Sequence, residues 1–277
     1  MIRAGVMGWP VAHSRSPLLH GFWLKQHGIA GAYELLPVPP EDLDTALRGL
    51  AARGFAGCNL TVPHKQAALA IVDHVDGTAA RIGAVNTIIV RRDGALEGRN
   101  TDAFGFRENL RAAQPAWRAS AGPAAVLGAG GAARAVVAAL LDDGAPEIRL
   151  VNRSRGHAAA LAAALGGPIT VIDWSRRAAV LGDAALLVNT TSLGMAGRPP
   201  LDLALDALPK TAVVNDIVYA PLETPLLEAA RRRGNPVVDG LGMLLHQARP
   251  AFAAWFGVTP DVTLALRQAV AASLVAR

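Results

Sequence analysis

The chain has little cysteine, few aromatic residues and little lysine. Its single cysteine, Cys58, cannot form a disulfide within the chain, so nothing in the sequence requires an oxidising compartment. Aromatic residues are 5% of the 277, and only Arg231 to Arg233 form a basic run, which disfavours a nucleic-acid surface despite the net charge of +5. These shortages favour a cytoplasmic protein that binds small anionic ligands.

The sequence also lacks a long uninterrupted apolar segment. The best candidate for a membrane span, residues 123–141 (PAAVLGAGGAARAVVAALL), contains Arg134 in its middle together with several glycines. The N-terminal MIRAGVMGWPVAHS has too short an apolar run for a secretory signal. We therefore expect no membrane association, and we interpret residues 123–141 as a buried strand, a turn and a helix.

The arrangement of apolar runs predicts an α/β fold with two domains. Hydrophobic residues are 52% of the chain and charged residues 18%, which is typical of a globular protein, and the length suits two cores. Short strand-like runs alternate with longer helical stretches until Arg111 to Pro123 breaks the pattern, and a second series begins at Ala124. The predicted elements are strands at 3–7, 33–38, 57–60 and near Ile148, Leu186, Val213 and Val237, helices at 17–27 and 41–53, and a hairpin with Asp93-Gly94 at its turn.

A glycine-rich turn opens the second series. The motif Gly128-x-Gly130-x-x-Ala133 stands between a strand and a helix, where it allows a tight turn, close approach of a pyrophosphate, and packing of helix on strand. The helix start offers unpaired N–H groups to phosphates. The motif therefore predicts a dinucleotide site formed by Gly128, Ala129, Gly130, Gly131 and Ala132.

The end of the next predicted strand indicates which nicotinamide cofactor binds. An NAD site would place an acidic residue there, whereas this strand ends in Asn152, Arg153, Ser154 and Arg155. Arginine and serine side chains can bind a 2′-phosphate, which a carboxylate would repel. We expect NADP; the alternative is an ordinary solvated basic turn.

The first half of the chain contains candidate residues for a small hydroxylated acid. Ser14 and Ser16 lie in a Ser-x-Ser-Pro turn before a helix, where hydroxyls and helix-start amides can bind a carboxylate, although the spacing alone favours a helix N-cap as the role of Ser16. Asn-Thr pairs begin at Asn86 and Asn100, and Asp102 follows the second pair. Each pair alone is also compatible with turn chemistry.

Taken in order, these motifs make the chain similar to a known family. GWPVAHSRSPLLH, NLTVPHK, IGAVNT, GRNTD, GAGGAAR, NRS, NTTSLGM, DIVYAPLETPLL and DGLGMLLHQA together resemble the shikimate dehydrogenases over nearly the whole length. The resemblance implies a substrate domain at 1–102, completed by 241–277, and a Rossmann NADP-binding domain at 103–240, with a cleft between them.

The resemblance also implies roles for individual residues. Lys65 would exchange the proton at the reacting oxygen, with Asp102 paired to it. A reversible proton donor must be able to deprotonate, which lysine can do and arginine cannot, so Lys65 stands out in a chain with only three lysines. The substrate would be bound by Ser14, Ser16, Thr61, Asn86, Asp102, Tyr219 and Gln247. The cofactor would also contact Thr191, Ile217, Gly240 and Met243, of which Ile217 and Met243 are equally explained as core residues.

The expected function is NADP-dependent, reversible reduction of 3-dehydroshikimate to shikimate. A quinate/shikimate dehydrogenase or a paralogue acting on a related cyclic acid would use the same residues. An NADP-sensing protein without activity and a nucleic-acid-binding protein are alternatives from other classes. No metal is expected, because His13 and His64 are not part of a dense ligand cluster. The partners expected are small molecules, and the chain is expected to be a monomer or homodimer.

Overall fold

The structure is a computed structural model, and it describes residues 1–275. Residues 276 and 277, the end of the segment predicted to complete the substrate domain, lie outside the described residues. The chain forms two compact units, one of Met1–Asp102 with Gln247–Ser273 and one that contains Ala103–His246. Within the described range, no helix combines the length and apolar character needed to cross a membrane.

The first unit is built on a mixed six-stranded sheet. Its strands are β1 (Ile2–Gly8), β2 (Gly31–Pro37), β3 (Phe55–Leu60), β4 (His74–Val75), β5 (Thr87–Val90) and β6 (Leu96–Arg99), in the order β2-β1-β3-β5-β6-β4. Strands β2 and β3 are both parallel to β1, whereas β5 is antiparallel to β3 and β6. The unit includes α1 (Ser16–Gln26), α2 (Leu43–Arg48) and α3 (Gly77–Ile82). Its sheet packs on a core that includes Met7, Leu47, Phe55, Leu60 and Ile88.

The second unit is built on a parallel sheet of six strands. These are β7 (Ala124–Leu127), β8 (Ile148–Asn152), β9 (Ile169–Asp173), β10 (Leu186–Asn189), β11 (Val213–Asp216) and β12 (Val237–Val238), in the order β12-β11-β10-β7-β8-β9. Strands β7, β10 and β11 are buried along their length, as expected of central strands covered on both faces. The order is that of a doubly wound nucleotide-binding sheet. Successive strands are added on one side of β7 as far as β9 and on its other side from β10 onwards, so the switch point lies between β7 and β10.

Helices complete the second unit and connect the two units along the chain. The unit contains α5 (Gly131–Asp142), α6 (Arg155–Leu165) and α7 (Pro225–Arg233). The chain leaves the first unit through α4 (Asp102–Ala113) and returns to it through α8 (Leu241–Phe256), which is followed by α9 (Leu264–Val275). The predicted α/β class is confirmed.

Two details of the predicted element pattern are wrong. The helix expected at 41–53 is instead a 3-10 turn at Pro40–Asp42 followed by α2, which ends at Arg48. Gly49 is the C-cap of α2, Gly54 has a positive φ, and Leu50 between them is buried in the core, so the chain turns here instead of continuing as a helix. Strands β4 and β9 were not predicted. Both lie at the edges of their sheets and are partly exposed, so they lack the continuous apolar run of a central strand.

Candidate active site

A lysine and a carboxylate form a close ion pair in the first unit. The Nζ atom of Lys65 lies 2.5 Å from Oδ2 of Asp102, with 19% of the lysine side chain and 7% of the aspartate side chain exposed. Lys65 lies in the segment after β3, whereas Asp102 is the first residue of α4, separated from the end of β6 by Asn100 and Thr101. The lysine side chain is therefore partly exposed, while its carboxylate partner is held inside the unit.

Asn86 holds the other side of this carboxylate. Its Nδ2 donates to Oδ1 of Asp102 over 2.8 Å and to Oγ1 of Thr101 over 2.9 Å. Its Oδ1 accepts from the backbone N–H of Thr101 over 2.8 Å, and Oε1 of Gln247 lies 3.4 Å from Asn86 Nδ2 and 3.3 Å from Thr101 Oγ1. The structure thus brings Lys65, Asn86, Asp102 and Gln247 into one polar cluster.

Two supporting residues in this cluster were not among the predicted site residues. The sequence predicts only a turn role for Thr101, yet its hydroxyl forms hydrogen bonds with Asn86 and with Gln247. Asn59, in β3, is buried and donates to the carbonyl oxygen of Asn86, while its own side-chain oxygen accepts a 2.7 Å hydrogen bond from Tyr33. An asparagine inside an otherwise apolar strand run was the available signal for this role.

Ser14, Ser16 and Thr61 follow the carboxyl ends of two neighbouring parallel strands. The serines lie after β1 and Thr61 lies after β3, and the N–H of Thr61 donates to the carbonyl oxygen of Met7 over 2.9 Å. The N-cap explanation for Ser16 is wrong: the cap position of α1 is Arg15, and no side chain caps the helix. Instead Oγ of Ser14 accepts from the N–H of Ser16 over 3.3 Å, so the two serines form a small polar turn.

The histidines considered for a metal do not form a site. His64 is buried, with a ring nitrogen 2.8 Å from the carbonyl oxygen of Val38, and burial lowers the pKa of its imidazole. His13 is exposed. Over residues 1–275, no group of three or more histidine, cysteine, aspartate or glutamate side chains could hold a metal ion.

The glycine-rich turn of the second unit has the geometry that a dinucleotide requires. Gly128 directly follows β7 and has a φ of +112°, and a Cβ on it would lie 2.4 Å from Oγ1 of Thr190, so only glycine fits. Gly130 is the cap of α5 and has no atom within 4 Å of the Cβ position, which leaves open space at the helix start. Ala129, Gly131 and Ala132 complete this turn. It lies at the switch point of the sheet, between β7 and β10.

The predicted 2′-phosphate residues lie at the end of β8, but a carboxylate accompanies them. Asn152 ends β8, Ser154 is the cap of α6, and Arg153 and Arg155 are exposed. Nη1 of Arg155 donates to Oδ1 of Asp173 over 3.0 Å. Asp173 is distant from Arg155 in the sequence and ends β9, an edge strand without a clear apolar pattern, so the sequence alone does not reveal this carboxylate.

A buried hydrogen-bond network joins the loops that follow β10 and β11. Asp216 accepts from Asn189 over 3.0 Å, from the N–H of Val218 over 3.0 Å and from Thr224 over 2.7 Å, and burial raises its pKa to about 6. Asn189 in turn accepts from the hydroxyl of Thr191 over 2.7 Å. The network therefore fixes the loop containing Thr191 to the loop that begins at Ile217.

The remaining predicted cofactor residues also lie in the second unit. A Cβ on Gly240 would lie 2.2 Å from the carbonyl oxygen of Ile217, so these two segments pack backbone to backbone. Met243 is buried in the first turn of α8 and Ile217 is partly buried, as their alternative interpretation as core residues also requires. Tyr219, the one predicted substrate residue outside the first unit, is partly buried after β11.

Three family models match successive parts of the chain. They describe a shikimate dehydrogenase substrate binding domain at residues 6–88, a shikimate / quinate 5-dehydrogenase at residues 112–194, and a shikimate 5′-dehydrogenase C-terminal domain at residues 240–270. Curated relatives match over almost the whole length. The shikimate dehydrogenase (NADP(+)) of Paramagnetospirillum magneticum is 67% identical over 264 residues, 95% of this chain and 96% of the relative. That of Rhodospirillum rubrum is 63% identical over 271 residues, 96% of each chain.

Solved structures show the same fold. The shikimate 5-dehydrogenase of Thermus thermophilus, in complex with NADP(H) and shikimate, matches with a TM-score of 0.87 and 40% identity, covering 99% of this chain and 100% of that one. The quinate dehydrogenase of Corynebacterium glutamicum, in complex with NAD, matches with a TM-score of 0.90 and 32% identity, covering 97% and 98%.

The fold and the two groups of side chains define a class of protein. The second unit has a doubly wound sheet with a glycine turn at its switch point, and the first unit has a lysine–carboxylate pair. These features are typical of a nicotinamide-dependent oxidoreductase. Within that class, the chain belongs to the shikimate dehydrogenase family.

Proposed function

We propose that the protein catalyses the NADP-dependent, reversible reduction of 3-dehydroshikimate to shikimate. The observation that carries the proposal is the Lys65–Asp102 pair, 2.5 Å apart and surrounded by hydrogen-bonding side chains that suit a ring with several hydroxyls. The curated relatives named above, with their NADP(+) designation, support both the reaction and the cofactor.

The residues of the second unit fit a bound NADP. Gly130 leaves space at the start of α5, where the helix N-terminus favours a pyrophosphate. Arg153 is exposed and makes no hydrogen bond or ion pair with any residue in the described range, so its guanidinium group can bind a 2′-phosphate. When bound, the cofactor supplies the hydride for the reduction.

The residues of the first unit manage the proton. As the carbonyl carbon of 3-dehydroshikimate accepts a hydride, negative charge develops on its oxygen, and the Lys65 ammonium donates the proton that turns it into a hydroxyl. In the reverse direction neutral Lys65 accepts that proton. Asp102 fixes the position of the amine, because one of its oxygens contacts Lys65 and the other contacts Asn86. Each carboxylate oxygen can accept more than one hydrogen bond, so Asp102 can also accept from a neighbouring substrate hydroxyl.

The substrate carboxylate would bind to the serine turn. Ser14 and Ser16 place two hydroxyl groups after β1, and Thr61 places a third after the adjacent strand β3. Asn86 and Gln247 would contact the ring hydroxyls, and Tyr219 of the second unit would contact the ring. The monomer or homodimer state remains a prediction from the sequence.

A quinate dehydrogenase is the second candidate function, favoured by the match to the enzyme of Corynebacterium glutamicum. The deciding measurement compares kcat/KM for shikimate and for quinate, each with NADP⁺ and with NAD⁺. We expect shikimate with NADP⁺ to be used best, with at least about a tenfold preference over NAD⁺, because two arginines stand where an NAD site has a carboxylate. Faster turnover of quinate, or a preference for NAD⁺, would contradict the proposal.

Alternatives from other classes are disfavoured by specific contacts. An NADP sensor would have no use for the intact Lys65–Asp102 pair, and it would bind NADPH without oxidising shikimate at any pH. A nucleic-acid-binding surface needs accessible cations, but the run Arg231 to Arg233 is paired with Glu223, Glu228 and Asp206. Salt-sensitive binding of DNA or RNA at physiological ionic strength would support that alternative.

A further inference from the structure

Asp173 lies beside the residues proposed to bind the 2′-phosphate. It ends β9, which runs parallel to β8, and it is the register partner of Asn152 at the end of β8. Arg153 follows Asn152 immediately, and Arg155 begins α6. Asp173 is therefore at the carboxyl end of the sheet, as both arginines are. It lies about 20 residues further along the chain than an acid that selects NAD would.

The two arginines are not equivalent in this arrangement. Arg155 donates from Nη1 to Oδ1 of Asp173 over 3.0 Å, whereas Arg153 has no carboxylate partner within residues 1–275. The pair is open to solvent, with 61% of the arginine side chain and 55% of the aspartate side chain exposed. An ion pair this exposed contributes little to stability, so holding α6 against β9 is a weak explanation for it.

The carboxylate has two effects on an incoming phosphate. It occupies a donor of Arg155 that would otherwise be available, and its negative charge repels a dianionic group nearby. Both effects concern the 2′-phosphate group, which NADP carries and NAD lacks. A cofactor with a free 2′-hydroxyl brings no charge to this place.

On these contacts, and on the basis of the proposed function, we propose that Asp173 is a specificity-determining residue that limits the preference of this protein for NADP over NAD. Arg153 provides the main contact to the 2′-phosphate. Arg155 contributes only partly, because it shares its guanidinium group with Asp173. Removal of the charge at position 173 should therefore increase discrimination between the cofactors rather than reduce it.

The test is equilibrium binding of NADPH and of NADH to the full chain at one fixed ionic strength, measured by the fluorescence of the bound nicotinamide. Asp173→Asn keeps the size of the side chain and removes its charge. We expect it to tighten NADPH binding about threefold to tenfold, the range for an exposed charge near a phosphate, and to leave NADH binding unchanged. Asp183→Asn is the matched control, because Asp183 is also exposed and paired with an arginine, Arg149, but lies before β10 at the opposite end of the sheet.

A double-variant comparison tests the competition for Arg155 itself. Arg155→Gln should weaken NADPH binding more in the Asp173→Asn background than in the parent, because the arginine is then free to bind the phosphate. Equal losses in the two backgrounds would contradict the sharing of Arg155.

The outcomes separate this proposal from the proposed function. If the parent binds NADPH more tightly than NADH and Asp173→Asn leaves NADPH affinity unchanged or weakens it, only the role of Asp173 is wrong. An equal gain for NADPH and NADH would also overturn it, since the effect would not involve the 2′-phosphate. A parent that does not prefer NADPH would overturn both the cofactor assignment and the role of Asp173.

Discussion

The carboxylate of Asp102 is held from two sides, by Lys65 at 2.5 Å and by Asn86 at 2.8 Å. These three residues come from three places in the chain: the segment after β3, the residue before β5 and the start of α4. A carboxylate held on both sides restrains the ammonium group that it contacts. A proton donor has to be held within hydrogen-bonding reach of the reacting oxygen, so this restraint matters for the proposed chemistry.

Asp102→Asn should therefore impair catalysis without impairing cofactor binding. The amide has nearly the same shape, but it carries no charge and has one acceptor oxygen, so it cannot accept from both Lys65 and Asn86 and holds the ammonium group less firmly. We expect kcat/KM for shikimate to fall by about two to four powers of ten, with NADPH affinity unchanged. Asp93→Asn is a suitable control, because Asp93 lies in the exposed turn between β5 and β6, where asparagine is equally favourable.

His20 predicts that acid destabilises the first unit. It is fully buried, stacked on Tyr33 at 3.9 Å, and within the described chain its ring nitrogens have no hydrogen-bond partner. Burial lowers the pKa of the His20 imidazole to about 3, so the folded protein keeps it neutral at pH values where the unfolded chain protonates it. The free energy of unfolding is therefore highest above the pKa of His20 in the unfolded chain and falls as pH drops below it. Between about pH 7.5 and about pH 5 the loss should be about 2 kcal/mol.

The variant His20→Leu tests this prediction, because leucine keeps the volume and does not titrate. In urea unfolding, the difference in unfolding free energy between the two pH values should be smaller in the variant than in the parent, whatever the packing cost of leucine. An unchanged pH dependence would show that the imidazole is not buried in its neutral form.

Asp216 predicts an effect of the opposite sign in the second unit. Burial raises its pKa to about 6, so the folded state binds a proton that the unfolded state releases, and stability from this group falls as pH rises through that value. From about pH 5 to about pH 7.5 the loss should be about 1.4 kcal/mol. Asp216→Asn imitates the protonated form and should remove this dependence when unfolding is measured as for His20. A variant whose stability still falls by the same amount would contradict the assignment.

The glycine turn and the cofactor half of the fold were accessible to sequence reasoning because their signals are local. A buried strand, Gly128 with its positive φ and a helix follow one another within a few residues, and each supports the same interpretation. Central strands β10 and β11 likewise begin with short apolar runs, which are local signals.

Features that depend on which strands become neighbours were not accessible. Lys65 and Asp102 are 37 positions apart, and their contact depends on β3, β5 and β6 pairing in one sheet, so their roles came from family resemblance. Asp173 approaches Arg155 only because β9 pairs with β8, and Thr101 joins Asn86 only because of the way the chain turns after β6. Hydrophobic periodicity predicts the elements, but it contains little information on register between distant strands.

The central claim is that the amine of Lys65 transfers the proton at the reacting oxygen. The most direct measurement is shikimate oxidation by Lys65→Ala and Lys65→Arg, with NADPH binding measured on the same samples and Lys25→Ala, an exposed lysine of α1, as the control. Arginine keeps the charge but cannot give up its proton, so both variants should lose several powers of ten in kcat while binding NADPH nearly as the parent does. Near-normal turnover in Lys65→Arg, or a loss of less than about tenfold in Lys65→Ala, would contradict the claim.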